Sequence, residues 1–143
     1  MRLTRRDQRV RRRARARALQ ALYAWDLSAD KRLPAIAERL WDDLAVGTPE
    51  RQLASPLVAA VAARHLEIDG LLTNVTTNWR LERLGAVERA VLRLGVAELL
   101  LGTAPPRVII QEAVRLGERF GSAESARFVN GVLDAIARQL GSI

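Results

Sequence analysis

The side chains with the most chemical potential in this 143-residue chain are arginines. Nine of them fall at positions 2, 5, 6, 9, 11, 12, 13, 15 and 17, against the single acid Asp7, while the remainder is close to neutral and the whole chain carries a net charge of +7. A guanidinium presents its N–H donors in a planar fork that fits phosphate oxygens, so a run of this density predicts a polyanion, nucleic acid first, at one end of the molecule. On a helix Arg9, Arg12 and Arg13 share one face, with Arg5 or Arg6 and Arg17 nearby. Phosphate contacts along such a face give affinity with a steep salt dependence but little choice of base. The same run also fits a solubilising tail or an anchor for an anionic surface. Arginine outnumbers lysine 22 to 1 throughout the chain, as a GC-rich genome would produce without any phosphate to bind.

Catalytic chemistry has little to work with. His65 is the single histidine, and it lies at an apolar spacing that predicts a packed or boundary position. Asp42 and Asp43 are adjacent and Glu67 and Asp69 are two apart, spacings that do not face two carboxylates the same way on a helix, so solvated surface charges are expected. There are no cysteines, which excludes disulfides, thiolate nucleophiles and cysteine zinc sites. No glycine-rich phosphate loop of the P-loop or dinucleotide type is present. The expectation is a binding protein without enzymatic activity, cofactor or metal. Apolar residues never run for the length of a membrane span, and a cytoplasmic protein is expected.

The elements that must position the arginines are helical by their apolar period. From about Arg11 to Leu27, Ala18, Leu19, Leu22, Tyr23 and Asp26 recur at three- and four-residue steps. Pro34 opens a second helix with a stripe of Ile36, Leu40, Trp41 and Leu44. The segment 45–55, with Gly47, Thr48 and Pro49, reads as a loop of about ten residues, and Ser55 with Pro56 as the cap and first turn of a third helix carrying Leu57, Val58, Val61, His65, Ile68 and Leu72. Polar residues from Asn74 to Arg80 end it. A fourth helix spans Ala86 to Leu101, Pro106 starts a fifth that Gly121 closes, and a sixth runs from Ser122 or Glu124 to Leu140. Gly95, Gly117 and Gly131 sit inside helices, where each costs about 1 kcal/mol relative to alanine, and close approach of helix backbones is the expected reason. No strand is needed, and the fold class is all-α: one compact helical domain of two small halves.

Sequence-selective RNA binding needs more than charge, usually aromatic stacking. Tyr23 lies two to three turns after the arginines, and Phe128 follows Arg127 at the start of the last helix. Spacing alone fits core packing or a surface contact for either ring.

Four blocks carry a family resemblance. The run Arg11-Arg-Arg-Ala-Arg-Ala-Arg-Ala-Leu-Gln-Ala-Leu-Tyr-Ala-Trp25 resembles the opening helix of the NusB family of bacterial transcription antitermination factors. Leu84-Gly-Ala-Val-Glu-Arg-Ala-Val-Leu-Arg-Leu94, Val108-Ile-Ile-Gln-Glu-Ala-Val114 and Arg127-Phe-Val-Asn-Gly-Val-Leu-Asp134 continue the likeness in the family's order, with Ala29 to Ser55 the least similar. The resemblance implies a basic extension over residues 1–10 and a NusB-like all-helical RNA-binding domain of six to seven helices over 11–143. It implies binding of boxA-type single-stranded RNA together with the ribosomal protein NusE, in company with other Nus factors and RNA polymerase, notably in ribosomal RNA operons. It places RNA binding on Arg11, Arg12, Arg13, Arg15, Arg127 and Phe128, with Glu124, often aspartate in the family, at the border of the RNA surface. Tyr23 and Glu88 match positions near the NusE interface or its junction with RNA. Departures are Gln111 for an asparagine, Gly117 for an alanine and Glu118 for a frequent lysine. NusB-like domains also occur as appendages of ribosomal RNA cytosine methyltransferases, whose cofactor domain and nucleophilic cysteine this chain lacks. A ribosome-assembly role or a homodimer is the alternative that the resemblance leaves open.

Overall fold

The computed structural model describes residues 3–29, 32–76 and 84–143; the expectations resting on Arg2 and on the polar segment after Thr76 lie outside them. Six helices follow one another, α1 (Arg5–Asp26), α2 (Leu33–Asp43), α3 (Thr48–Val75), α4 (Ala86–Leu101), α5 (Pro106–Phe120) and α6 (Ala123–Gln139), with no strand among the described residues. The all-α class is as expected. Helices α1, α2 and α3 pack together, α5 and α6 form a second pair, and α4 lies between the two groups in contact with α1, α3, α5 and α6. Every residue of α4 from Ala90 to Leu99 is buried, as befits a helix surrounded by others. Burying side chains such as Leu92 and Leu94 there stabilises the fold by about 1.5–3 kcal/mol each.

Two helix starts differ from the sequence reading, each for a local reason. Helix α1 begins six residues early because Thr4 and Asp7 form a reciprocal capping box: the Asp7 amide donates to Thr4 Oγ1 at 3.0 Å and the Thr4 amide to Asp7 Oδ2 at 3.2 Å. Residues 5–10, expected as an extension, are therefore helical. Helix α3 starts at Thr48 rather than Ser55, since Pro49 serves its first turn as well as Pro56 would have, and Ala54 is already in the core. Pro56 lies inside the helix, and Arg64 (φ −121°, ψ 20°) interrupts its regular geometry. The α2–α3 connection shrinks to a tight turn with Ala45 in the left-handed region at φ 54°. In α2 the buried stripe is Leu33, Ala37 and Trp41, not Ile36, Leu40 and Leu44; the Trp41 indole donates to the Arg17 carbonyl at 3.2 Å, tying α2 to α1.

Of Gly95, Gly117 and Gly131, the first two are explained by close approach. A methyl group at Gly95 would lie 2.6 Å from Leu133 Cδ1, and one at Gly117 3.3 Å from Ala126 Cα, so α4 and α5 each admit α6 at these points. Gly131 faces open space and has no such reason. Gly121 ends α5 without a left-handed cap (φ −120°, ψ −114°); a side chain there would meet the Gly117 carbonyl and Ser125 Oγ, both at 2.9 Å.

Candidate nucleic-acid interface

Helix α1 carries its arginines in three different states. Arg5, Arg6 and Arg9 are exposed and make no ion pair among the described residues. Arg12 and Arg13 are exposed but tethered: Arg12 Nε donates to Glu112 Oε1 of α5 at 3.0 Å, and Arg13 Nη1 lies 4.0 Å from Glu50 Oε1 of α3. In the Arg12 pair the carboxylate takes the Nε edge, which leaves the outer N–H groups of the guanidinium for another acceptor. Glu50 also accepts from Arg17 Nε at 3.2 Å. Arg11 is half-buried and lines a small hollow between α1, α3 and α4.

Arg15 is not on this face. Its Nε lies 2.9 and 3.1 Å from the two carboxylate oxygens of Glu98 in α4, both side chains are buried, and the Thr103 hydroxyl donates to the same carboxylate at 2.9 Å. The expected RNA contact is instead a core ion pair, because residue 15 falls on the side of α1 that packs on α4. Its spacing from Ala18, Leu19 and Leu22 was the available signal.

A second region forms where α4 and α6 begin side by side. Phe128 is half-buried in a cleft of about 300 Å³ lined by Leu84, Gly85 and Glu88 from one helix start and by Ser122, Glu124 and Ser125 from the other. Ser122 Oγ caps α6 by accepting from the Ser125 amide at 3.1 Å, and Ser125 Oγ donates to Glu88 Oε1 at 2.5 Å. Glu88 is thus fixed between the two helix starts, while Glu124 is exposed at the rim. Leu84 and Phe128 give the cleft apolar surface, and Glu88, Glu124 and the two serines give it oxygen acceptors, a combination suited to a stacked base with donors on its edge. Arg127 does not share this cleft; with Glu118 and Asn130 it lines a polar groove between α5 and α6.

Tyr23 lies on a third surface, an apolar groove of about 530 Å³ between α1, α2, α4 and α5 that includes Leu27, Leu44, Val87 and Phe120. Leu27 and Leu44 are 65% and 46% exposed, a cost in water that a covering partner would remove. Val87 turns to this groove and Glu88 to the Phe128 cleft, so the first turn of α4 joins the two.

The sequence reading missed a partly buried charge network. Asp26 accepts from Arg89 Nη2 at 2.7 Å and Arg93 Nη1 at 2.9 Å, and Arg93 reaches Asp69 with Nε at 2.9 Å and Nη2 at 3.1 Å. Asp69, expected as a solvated charge, is a link between α3 and α4. Burial pushes the Asp26 carboxyl up, but the hydrogen bonds from Arg89 and Arg93 outweigh it and hold its pKa below the usual carboxylate value. Arg93 also lies 5.3 Å over the Trp25 ring, and Trp25 meets His65 edge-on at 5.6 Å, which gives the histidine a packing role. Among the described residues no cluster of His, Asp and Glu stands ready to hold a metal ion, and no helix is long and apolar enough to cross a membrane.

A family model described as the NusB family matches residues 12–138. The chain belongs to the NusB family. It is 46% identical over 129 residues to "Transcription antitermination protein NusB" of Anaeromyxobacter dehalogenans (strain 2CP-1 / ATCC BAA-258), covering 90% of each chain. It is 44% identical to the protein of the same name from Sorangium cellulosum (strain So ce56), covering 90% of this chain and 92% of the relative. Among solved structures it is similar to NusB of T. maritima, with 33% identity, a TM-score of 0.80 and 90% of each chain covered. It is also similar to a chain in a crystal structure of the antitermination factors NusB and NusE in complex with dsRNA, with 31% identity and a TM-score of 0.82 over 92% of this chain and 98% of that one. The NusB family match begins at residue 12, so Arg5, Arg6, Arg9 and Arg11 precede it. The departures read from the NusB resemblance are partly structural: Gly117 admits the α6 backbone, and Glu118 sets an acid in the Arg127 groove.

Proposed function

We propose that this NusB family member is an RNA-binding transcription antitermination factor that recognises boxA-type single-stranded RNA together with NusE. The observation that carries the reading is the exposed α1 face of Arg12 and Arg13, in a fold similar across nearly its whole length to a NusB solved with NusE and RNA. Arg11, Arg12 and Arg13 neutralise phosphates, Phe128 stacks a base in its cleft with Glu124 at the border, and Arg127 meets the strand beyond α6. NusE covers the apolar groove of Tyr23 and reaches Glu88. The complex then joins other Nus factors on RNA polymerase during transcription of ribosomal RNA operons.

The test is an equilibrium titration of labelled boxA, scrambled and double-stranded RNA, with and without NusE, at two salt concentrations. Arg12→Ala with Arg13→Ala should weaken all RNAs and lower the salt slope, by less than about 0.7 per lost phosphate contact on single strands because both arginines are shared with a carboxylate. Phe128→Ala should instead narrow the preference for boxA over the scrambled RNA. No preference for single-stranded boxA even with NusE present would overturn the reading. The exposed Tyr23 groove also favours self-association as a second reading; a particle with the mass of two copies of this chain that gives way, on adding NusE, to one with the mass of a single copy plus NusE would show a dimer opening at that groove.

A further inference from the structure

We infer that Arg5, Arg6 and Arg9 form a second phosphate-binding track, upstream of the NusB family block, that grips the RNA beyond the selectively read element. The inference rests on the RNA-binding reading above and extends its site. The capping box of Thr4 and Asp7 makes residues 5–10 a continuous part of α1 rather than a loose tail. At 100° per residue Arg5, Arg9, Arg12 and Arg13 stand on one side of that helix, with Arg6 beside Arg13, so the track continues the proposed RNA face by about 10 Å from Arg12 to Arg5.

The charge states make this track more than an ornament. Arg12 and Arg15 each meet a carboxylate, from α5 and α4, and Arg13 and Arg17 share Glu50 of α3. Arg5, Arg6 and Arg9 have no ion pair among the described residues, and the one nearby acid, Asp7, is engaged by the Thr4 hydroxyl and amide. An arginine already shared with a carboxylate neutralises a phosphate only in part and so frees fewer of the counterions condensed on the RNA, whereas an unpaired one contributes its full share. Arg5, Arg6 and Arg9 therefore add their full share of salt-dependent attraction to that of the proposed RNA face, from turns that line none of the clefts described above. The ligand fitted to such a surface is the sugar–phosphate backbone of nucleotides flanking the element, without sequence preference.

The experiment compares a minimal boxA-type RNA with the same RNA carrying about ten uridines on its 5′ or its 3′ side, titrated with the full chain and with Arg5→Gln/Arg6→Gln/Arg9→Gln. Glutamine keeps helix propensity, and the first buried residue of α1 is Ala14, so the variant tests charge alone. The wild type should bind one extended RNA more tightly than the minimal one. The triple variant should lose that gain, keep its boxA preference, and show a salt slope on the extended RNA lower by about 2, for three phosphates at 0.7 each. Equal wild-type affinity for minimal and both extended RNAs, or an unchanged slope in the variant, overturns the inference. Absence of boxA preference in the wild type would instead sink the functional reading, and is read from the minimal RNA alone.

Discussion

Replacing Arg15 with methionine should damage the fold and spare the RNA contact. The Arg15 and Glu98 side chains are 9% and 5% exposed, so removing the guanidinium strands a carboxylate in the core with the Thr103 hydroxyl as its remaining donor. Breaking a buried pair from one side costs about 3–5 kcal/mol. At about 4 °C per kcal/mol for a chain of this size, the melting temperature should fall by about 12–20 °C. Arg15→Met combined with Glu98→Met removes both charges together, and most of the loss should be recovered, because an apolar replacement of a whole buried pair is close to neutral or better. Urea unfolding followed by circular dichroism on the wild type, both single variants and the double variant gives the coupling energy. RNA titration well below every melting temperature then measures the folded protein. If Arg15→Met lost less than about 1 kcal/mol of stability while its folded form bound RNA tenfold more weakly, the guanidinium would belong on the RNA and the placement would be wrong.

Asp26 has a folded-state pKa depressed by Arg89 and Arg93, so its contribution is complete above the unfolded carboxylate value of about 3.9 and is lost as pH falls through the lower folded value. Asp26→Asn should be less stable at neutral pH yet lose less stability on acidification below about pH 4; parallel pH profiles would contradict this. Gly131→Ala should stabilise the protein by up to about 1 kcal/mol, since the helix gains propensity and the methyl meets nothing. Gly95→Ala should destabilise it by about 1–2 kcal/mol as Leu133 is forced aside, and denaturant midpoints that rank the two the other way would refute the packing account. Glu112→Gln should free Arg12 of its ionic partner and steepen the salt slope for RNA by up to about 0.7; an unchanged slope would remove Arg12 from the RNA face.

Much of the fold was legible because apolar period and punctuation agree in the second half of the chain. Ala86 to Leu101, the Pro105–Pro106 break and the Ser122 cap fall where the sequence places them. The first half was harder where two residues offer the same local service. Pro49 and Pro56 both suit a first helical turn, and tertiary burial of Ala54 decided between them. The capping box at Thr4 was present in the sequence but hidden by the arginines around it. Charged residues were the least readable: Arg15, Asp26, Asp69, Arg93 and Glu98 are typed as surface residues, and their partners lie 24 to 83 positions away. Periodicity can report the side of a helix on which a residue sits, but not that an opposite charge waits there.

The carboxylates that pair with the arginines of α1 come from three later helices, and this has a consequence during synthesis. The arginines are made first, and Glu50, Glu98 and Glu112 follow only after long stretches of further chain. Until α3, α4 and α5 have followed in turn, Arg12, Arg13, Arg15 and Arg17 lack their anions and the early segment is a dense polycation emerging beside ribosomal RNA, with an appetite for any phosphate it meets. Completing the fold supplies the missing anions from within. Maturation of this protein therefore confines indiscriminate adhesion to the arginines that stay unpaired: folding both builds the RNA surface and quenches part of the stickiness of the chain that carries it.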